Sequence, residues 1–100
     1  MRKIVLLCAN GMSTGMLMNK MRECAAQTGY ECSINAYPIS QAESAAAGAD
    51  CVLIGPQVRY ELAGVQQRLP GIPVAVIEMT DYGRLRGDKV LAMAQKLIGD

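Results

Sequence analysis

The apolar run Ile4-Val5-Leu6-Leu7 ends on Cys8, which opens the segment Cys8-Ala9-Asn10-Gly11-Met12-Ser13-Thr14-Gly15. A thiol thus stands at the end of a strand-like run, followed by a small-residue turn rich in glycine and hydroxyls, then by a helical pattern. Such a turn aims backbone N–H groups and a helix N-terminus at one spot, which favours an anion there. Gly11 frees the dihedrals of the turn, and Ser13 or Thr14 can cap the helix. A sulfur in that field is either a stabilised thiolate nucleophile or a carrier of a bound phosphoryl group.

The neighbouring residues narrow the chemistry. Small tyrosine phosphatases carry a Cys, five residues, an Arg, then Ser or Thr; here Thr14 stands six residues after Cys8, where the Arg belongs. Without a guanidinium nothing clamps the equatorial oxygens during hydrolysis. Asp81, the only candidate for a mobile acid, lies far along the chain. The loop therefore reads as one that holds a phosphoryl group on sulfur without rapidly hydrolysing it. No Cys-x-x-Cys pair suggests a redox centre, and the absence of histidine leaves a zinc or haem site almost without ligands. No metal and no cofactor are expected. Cys24, Cys32 and Cys51 read as small core or strand residues in a reducing compartment.

The elements that must position Cys8 follow a fourfold alternation. Strands are predicted at Lys3–Cys8, Glu31–Tyr37, Asp50–Gly55 and Pro73–Ile77. Helices are predicted at Ser13–Gln27, at a short Ala-rich segment from a Ser40 cap to Ala47, at Val58–Leu69 and at Asp88–Ile98. Gly29 is a candidate C-cap, and Pro38 is expected to break the second strand. On the first helix Leu17, Met21, Cys24 and Thr28 form one face; on the third, Leu62, Val65 and Leu69 point inward. Parallel neighbours need crossovers, so this alternation predicts an α/β fold: a four-stranded parallel sheet, order 2-1-3-4, with helices on both faces, flavodoxin-like. Ligands bind such sheets beyond the carboxyl ends of the strands, where the order reverses. Cys8–Gly15 and Gly55-Pro56-Gln57 meet there.

Composition bounds the partners. Residues 1–100 suit a single domain, and a 51% hydrophobic share supplies a core without disulfides. A net charge of +1 argues against nucleic acid. No apolar run approaches the roughly 18 residues of a membrane helix, and the run after Arg2-Lys3 is too short for a signal peptide, so a cytoplasmic protein is expected.

A specific resemblance adds to this. Cys8 through Leu17 with Lys20-Met21, then Ala49 through Tyr60, Pro73-Val74, Asp81-Tyr82-Gly83 and Gly87 through Leu91 together resemble the enzyme IIB component of the lactose/cellobiose (diacetylchitobiose) branch of the phosphotransferase sugar-uptake system. The likeness spans essentially the whole chain, and its first two motifs are the specific ones. It implies that Cys8 accepts a phosphoryl group from a histidine of the phosphorylated IIA protein. Cys8 would then pass it to a sugar, a β-disaccharide such as cellobiose, chitobiose or lactose, held by the membrane permease IIC. The backbone N–H groups of Asn10, Gly11, Met12, Ser13, Thr14 and Gly15 would hold the phosphoryl oxygens. With no histidine of its own, the chain needs a donor on another protein. Two residues depart from the family pattern: Gly15 replaces a frequent hydroxyl residue, and Asn10 a smaller one.

Around the site, Gln57 and Tyr60 project from the loop facing Cys8, and Tyr82 with Asp81 follows the fourth strand on the same rim, suited to partner docking. Met12 and Met16 flank the loop as adaptable apolar contacts. Arg59, Arg84 and Arg86 are solvated charges or contacts to an acidic partner surface. A monomer is expected, docking only transiently at the membrane through the permease. The enzyme alternative is a low-molecular-weight phosphatase or arsenate reductase. A receiver domain ranks last, because Gly55 and Ala9-Asn10 stand where it needs acids.

Overall fold

β1 (Arg2–Cys8) is apolar on both sides, and Ile4 through Cys8 are buried without interruption. A strand with no wet face belongs at the centre of a covered parallel sheet. β1 accordingly lies between β2 (Cys32–Pro38) and β3 (Cys51–Ile54), with β4 (Val74–Val76) outside β3. All pairings are parallel, and the order β2-β1-β3-β4 is the predicted one. The computed structural model describes residues 1–9 and 12–100, apart from the side chains of residues 12 and 13.

Alternate residues of each strand serve opposite layers. Ile4, Leu6, Cys51 and Leu53 share one core layer with Leu17 and Met21 of α1 (Met12–Thr28) and with Val90, Leu91 and Ala94 of α5 (Gly87–Ile98). Val5, Leu7, Val52 and Ile54 face the other, with Ala42 and Ala45 of α2 (Ala42–Ala45) and Val65 of α3 (Leu62–Arg68). Gly29 closes α1 as expected: at φ 72° it lets Tyr30 N–H reach the Ala25 carbonyl at 2.9 Å, satisfying an end carbonyl of the helix. Ala25, rather than Cys24 or Thr28, completes the buried face of α1.

Two expectations give way, one boundary shifts by a residue and one element is new. Pro38 is the last residue of β2, opposite Cys8, because an edge strand tolerates a missing donor at its end. Ser40 caps nothing: a 3₁₀ turn, Ile39–Gln41, leads into α2 without a side-chain cap. The third helix is split, since a 3₁₀ segment at Pro56–Glu61, interrupted by non-helical dihedrals at Val58, precedes α3. The sequence also concealed α4 (Met79–Gly83), whose Thr80, Asp81 and Gly83 are weak helix formers. Tertiary contacts hold it, because Tyr82 is buried in the first core layer.

The α1–α5 crossing is backbone-close. A Cβ on Gly87 would sit 2.5 Å from the Lys20 carbonyl carbon. Gly87→Ala should therefore destabilise the fold by about 1–3 kcal/mol through overpacking, read as a lower urea midpoint. An unchanged midpoint would show that the helices can separate freely.

At the amino ends of the strands, Arg2 grips Asp100 with two hydrogen bonds of 2.9 and 2.7 Å, and the Tyr30 hydroxyl donates to Asp100 at 2.6 Å. The Arg2 and Tyr30 bonds hold the Asp100 carboxyl below its ordinary range. Burial first, then Asp100, pushes the Tyr30 phenol up to about 12. A phenol whose folded pKa is raised stabilises fully below its unfolded value of about 10 and loses that contribution as pH climbs toward 12. Tyr30→Phe should abolish this part of the alkaline destabilisation, measured as stability between about pH 10 and 12. A variant that declines like the wild type would refute the assignment.

Candidate functional site

The strand order reverses between β1 and β3: α1 carries the chain from β1 to one neighbour, while β3 leads to β4 on the other side. A crevice forms beyond the carboxyl ends at such a point. Cys8 is the last residue of β1 and stands at its lip. Its side chain is almost wholly buried, and the thiol donates a weak hydrogen bond to the Tyr37 carbonyl at 3.8 Å. Gly55 N–H donates to the Leu7 carbonyl at 2.9 Å and so carries the β1–β3 ladder up to the sulfur-bearing end.

α1 begins at Met12, four residues beyond Cys8. The first-turn N–H groups of a helix have no carbonyl partner within it, and no acidic residue occupies this first turn. A 17-residue helix contributes a positive field there. Asn10 and Gly11 of the predicted phosphate cradle, and the side chains of Met12 and Ser13, lie outside the described residues. Thr14 and Gly15 lie in the first turn.

Thr14 departs from its expected role as a cap. It sits inside the helix, 1% exposed, and its Oγ1 shares a hydrogen bond of 2.8 Å with the Tyr82 hydroxyl. Its side chain is thus turned into the core, at the position where a phosphatase would project Arg. Tyr82, expected on the rim, is buried for the same reason, although it still forms part of a cavity wall.

That open cavity, about 390 Å³, is lined by Pro56, Gln57, Arg59, Met79, Tyr82 and Gly83. Gln57 also lies beside Gly55, which neighbours Cys8. The position a Cβ on Gly55 would take lies 3.0 Å from Gln57 Oε1 and 3.8 Å from Cys8 Cβ. The bare Gly55 is what lets the amide approach. Tyr60 is exposed on the same segment and does not line the cavity. Met16 and Met79 are also exposed, giving an apolar border to this end of the molecule. Arg59 turns its guanidinium to the Pro56 carbonyl at 3.0 Å, and Arg86 pairs with Asp88 at 3.0 Å. A larger cavity of about 460 Å³ lies at the opposite pole, among Arg2, Tyr30, Asp50 and Asp100, whose polar groups already bond one another.

The other cysteines lack this setting. Burial pushes the Cys51 thiol up to about 12 and raises Cys32 as well, which keeps both protonated and unreactive. Sequence reasoning missed the Tyr37 carbonyl, the Thr14–Tyr82 bond and Met79. A lone tyrosine in the polar stretch Thr80 to Arg86 was the available signal for the second.

Comparisons with known proteins agree with this geometry. The family described as PTS system, Lactose/Cellobiose specific IIB subunit, matches residues 3–93. The PTS system galactose-specific EIIB component of Lactococcus lactis subsp. cremoris is 41% identical over 102 residues, covering 95% of this chain and 94% of that one. The oligo-beta-mannoside-specific EIIB component of Bacillus subtilis is 39% identical, covering 98% and 97%. Among solved structures, the cellobiose-specific IIB component of Borrelia burgdorferi superimposes with a TM-score of 0.82 at 30% identity, covering 98% of this chain and 92% of that one. The lactose-specific IIB domain of Streptococcus pneumoniae, at 23% identity and a TM-score of 0.80 with 95% of each chain covered, shares the fold. A sulfur at the switch point of a flavodoxin-like sheet, set against a helix start and facing no phosphatase arginine, thus has a family: the chain belongs to the lactose/cellobiose-specific IIB subunits of the phosphotransferase system, and it is a phosphoryl carrier.

Proposed function

We propose that Cys8 is the phosphoryl-bearing residue, charged by a phosphohistidine of the IIA protein and discharged to a sugar held by the IIC permease. The observation that carries this is Cys8 as the last residue of β1, four residues before α1 begins at Met12. In the first step the Cys8 thiolate attacks phosphorus, the S–P bond forms and the donor's N–P bond breaks. The imidazole leaves with the electron pair. In the second step a sugar hydroxyl oxygen attacks phosphorus, the S–P bond breaks, and the hydroxyl proton passes to a base outside this chain's histidine-free set. Sulfur departs as the thiolate. Both steps place the same negative charge at the same spot, so the backbone N–H groups that would hold it, those of residues 10–15, would serve the two complexes alike. Gln57, whose side chain lies beside Gly55 on the facing loop, would line the site.

The exposed Met16, Met79 and Tyr60 form the contact surface for the two partners, since thioethers adapt to more than one shape. The relatives are named for galactose, cellobiose and oligo-beta-mannosides, and we place the sugar among β-linked disaccharides. No helix among the described residues is long and apolar enough to cross a membrane. The chain acts as a cytoplasmic monomer that meets the membrane through the permease.

Incubation with phosphoenolpyruvate, the two general proteins of the system and a IIA of this branch should add one phosphoryl group, mapped by mass spectrometry to Cys8 and absent from Cys8→Ser. Labelling elsewhere, or none with any IIA of the branch, would sink the assignment. Cys8→Ala should keep its stability within about 2 kcal/mol, because only a small buried group is lost. The protein should not turn over p-nitrophenyl phosphate.

A further inference from the structure

The Thr14–Tyr82 bond ties the first turn of α1 to α4 by a specific polar contact, beyond the core packing that the two share. Thr14 belongs to the first turn of α1, and its own N–H is among the donors at that helix start. A threonine hydroxyl inside a helix ordinarily serves its own helix. This one reaches α4, 68 residues away in sequence, at 2.8 Å and in a buried setting.

Tyr82 is a firm anchor. Its ring is in the core layer that also holds Leu17, Val90 and Leu91. Its backbone N–H donates to the Glu78 carbonyl at 2.9 Å, and its carbonyl accepts from Leu85 N–H at 3.1 Å. Threonine is stiff about χ1. Fixing Oγ1 therefore fixes the Thr14 Cα and the direction of the peptide N–H groups around it. Donors that stabilise a transferring phosphoryl group must keep their aim, and a misplacement of about 1 Å can cost on the order of 100-fold in rate.

We infer that Tyr82 is a positioning residue for phosphoryl transfer: through the Thr14 hydroxyl it holds the first turn of α1 in the orientation that presents its N–H groups to the phosphoryl group on Cys8. The inference rests on the carrier role of Cys8. It also gives the threonine at the phosphatase-arginine position a task, since the hydroxyl acts from behind the cradle and does not touch phosphate.

The test compares the wild type with Tyr82→Phe, Thr14→Val, their double variant and Thr14→Ser in the full chain. Three quantities are read: the single-turnover rate of transfer from phosphorylated IIA, the ³¹P chemical shift of the phosphocysteine, and the unfolding midpoint. Tyr82→Phe and Thr14→Val should each slow transfer about tenfold and shift the ³¹P resonance. The double variant should be no slower than the slower single, because both remove one bond. Thr14→Ser should keep the wild-type rate and resonance. Tyr82→Phe removes a single oxygen and leaves the ring buried, so it decides the matter even where Thr14→Val folds poorly. An unchanged rate and resonance in Tyr82→Phe, or losses that multiply in the double variant, would overturn the inference. If the wild type itself takes no phosphoryl group on Cys8, the carrier role fails and this inference with it; a normally charged wild type beside an indifferent Tyr82→Phe removes the inference alone.

Discussion

The continuous burial of β1 is the constraint on which the rest depends. With Ile4 and Leu6 in one layer and Val5 and Leu7 in the other, this strand cannot slide or rotate without exposing a whole face. Its register with β2 and β3 is thereby fixed along its length, and Cys8 inherits the position. A reacting atom that must meet two different partners in turn gains from being held by the core. The proposed phosphoryl-bearing residue, Cys8, ends the strand that is buried on both faces.

What the fold adds is charge placement. On the proposed reading, a phosphoryl group on Cys8 would bring negative charge to a spot that both partners reach, where fixed cations would obstruct its departure. The α1 start provides partial positive charge on backbone groups, and no carboxylate competes within its first turn. Two of the arginines near the facing loops are held locally, Arg59 by the Pro56 carbonyl and Arg86 by Asp88, while Arg84 is exposed. A cradle of backbone donors without a guanidinium clamp would stabilise a bound phosphoryl group and still let it leave, as the proposed carrier role requires.

The parts legible in the sequence were those written in apolar period and in glycine. The runs at Ile4–Leu7 and Val52–Ile54 announced buried strands, Gly29 announced the end of α1, and the alternation of elements gave the strand order. Less legible were features that arise only when distant segments meet. α4 has little helical propensity and exists because Tyr82 finds a core position. Thr14 read as a cap because its local context suits one, whereas its hydroxyl answers to a residue 68 positions on. The split at Val58 likewise reflects burial of that side chain over local preference. Around the candidate site, Gln57 on the facing loop was legible from the strand order, whereas the closeness of its side-chain oxygen to Gly55 was not.

The central claim is that the amino end of α1 holds the phosphoryl group on Cys8. Its most direct measurement is the change in backbone amide ¹H and ¹⁵N shifts when the protein is phosphorylated by its IIA donor. The account predicts large downfield proton shifts gathered in residues 10–15, with the sheet and α5 nearly unmoved. Shifts centred on another segment, or a phosphorylated protein whose residue 10–15 amides stay in place, would contradict it.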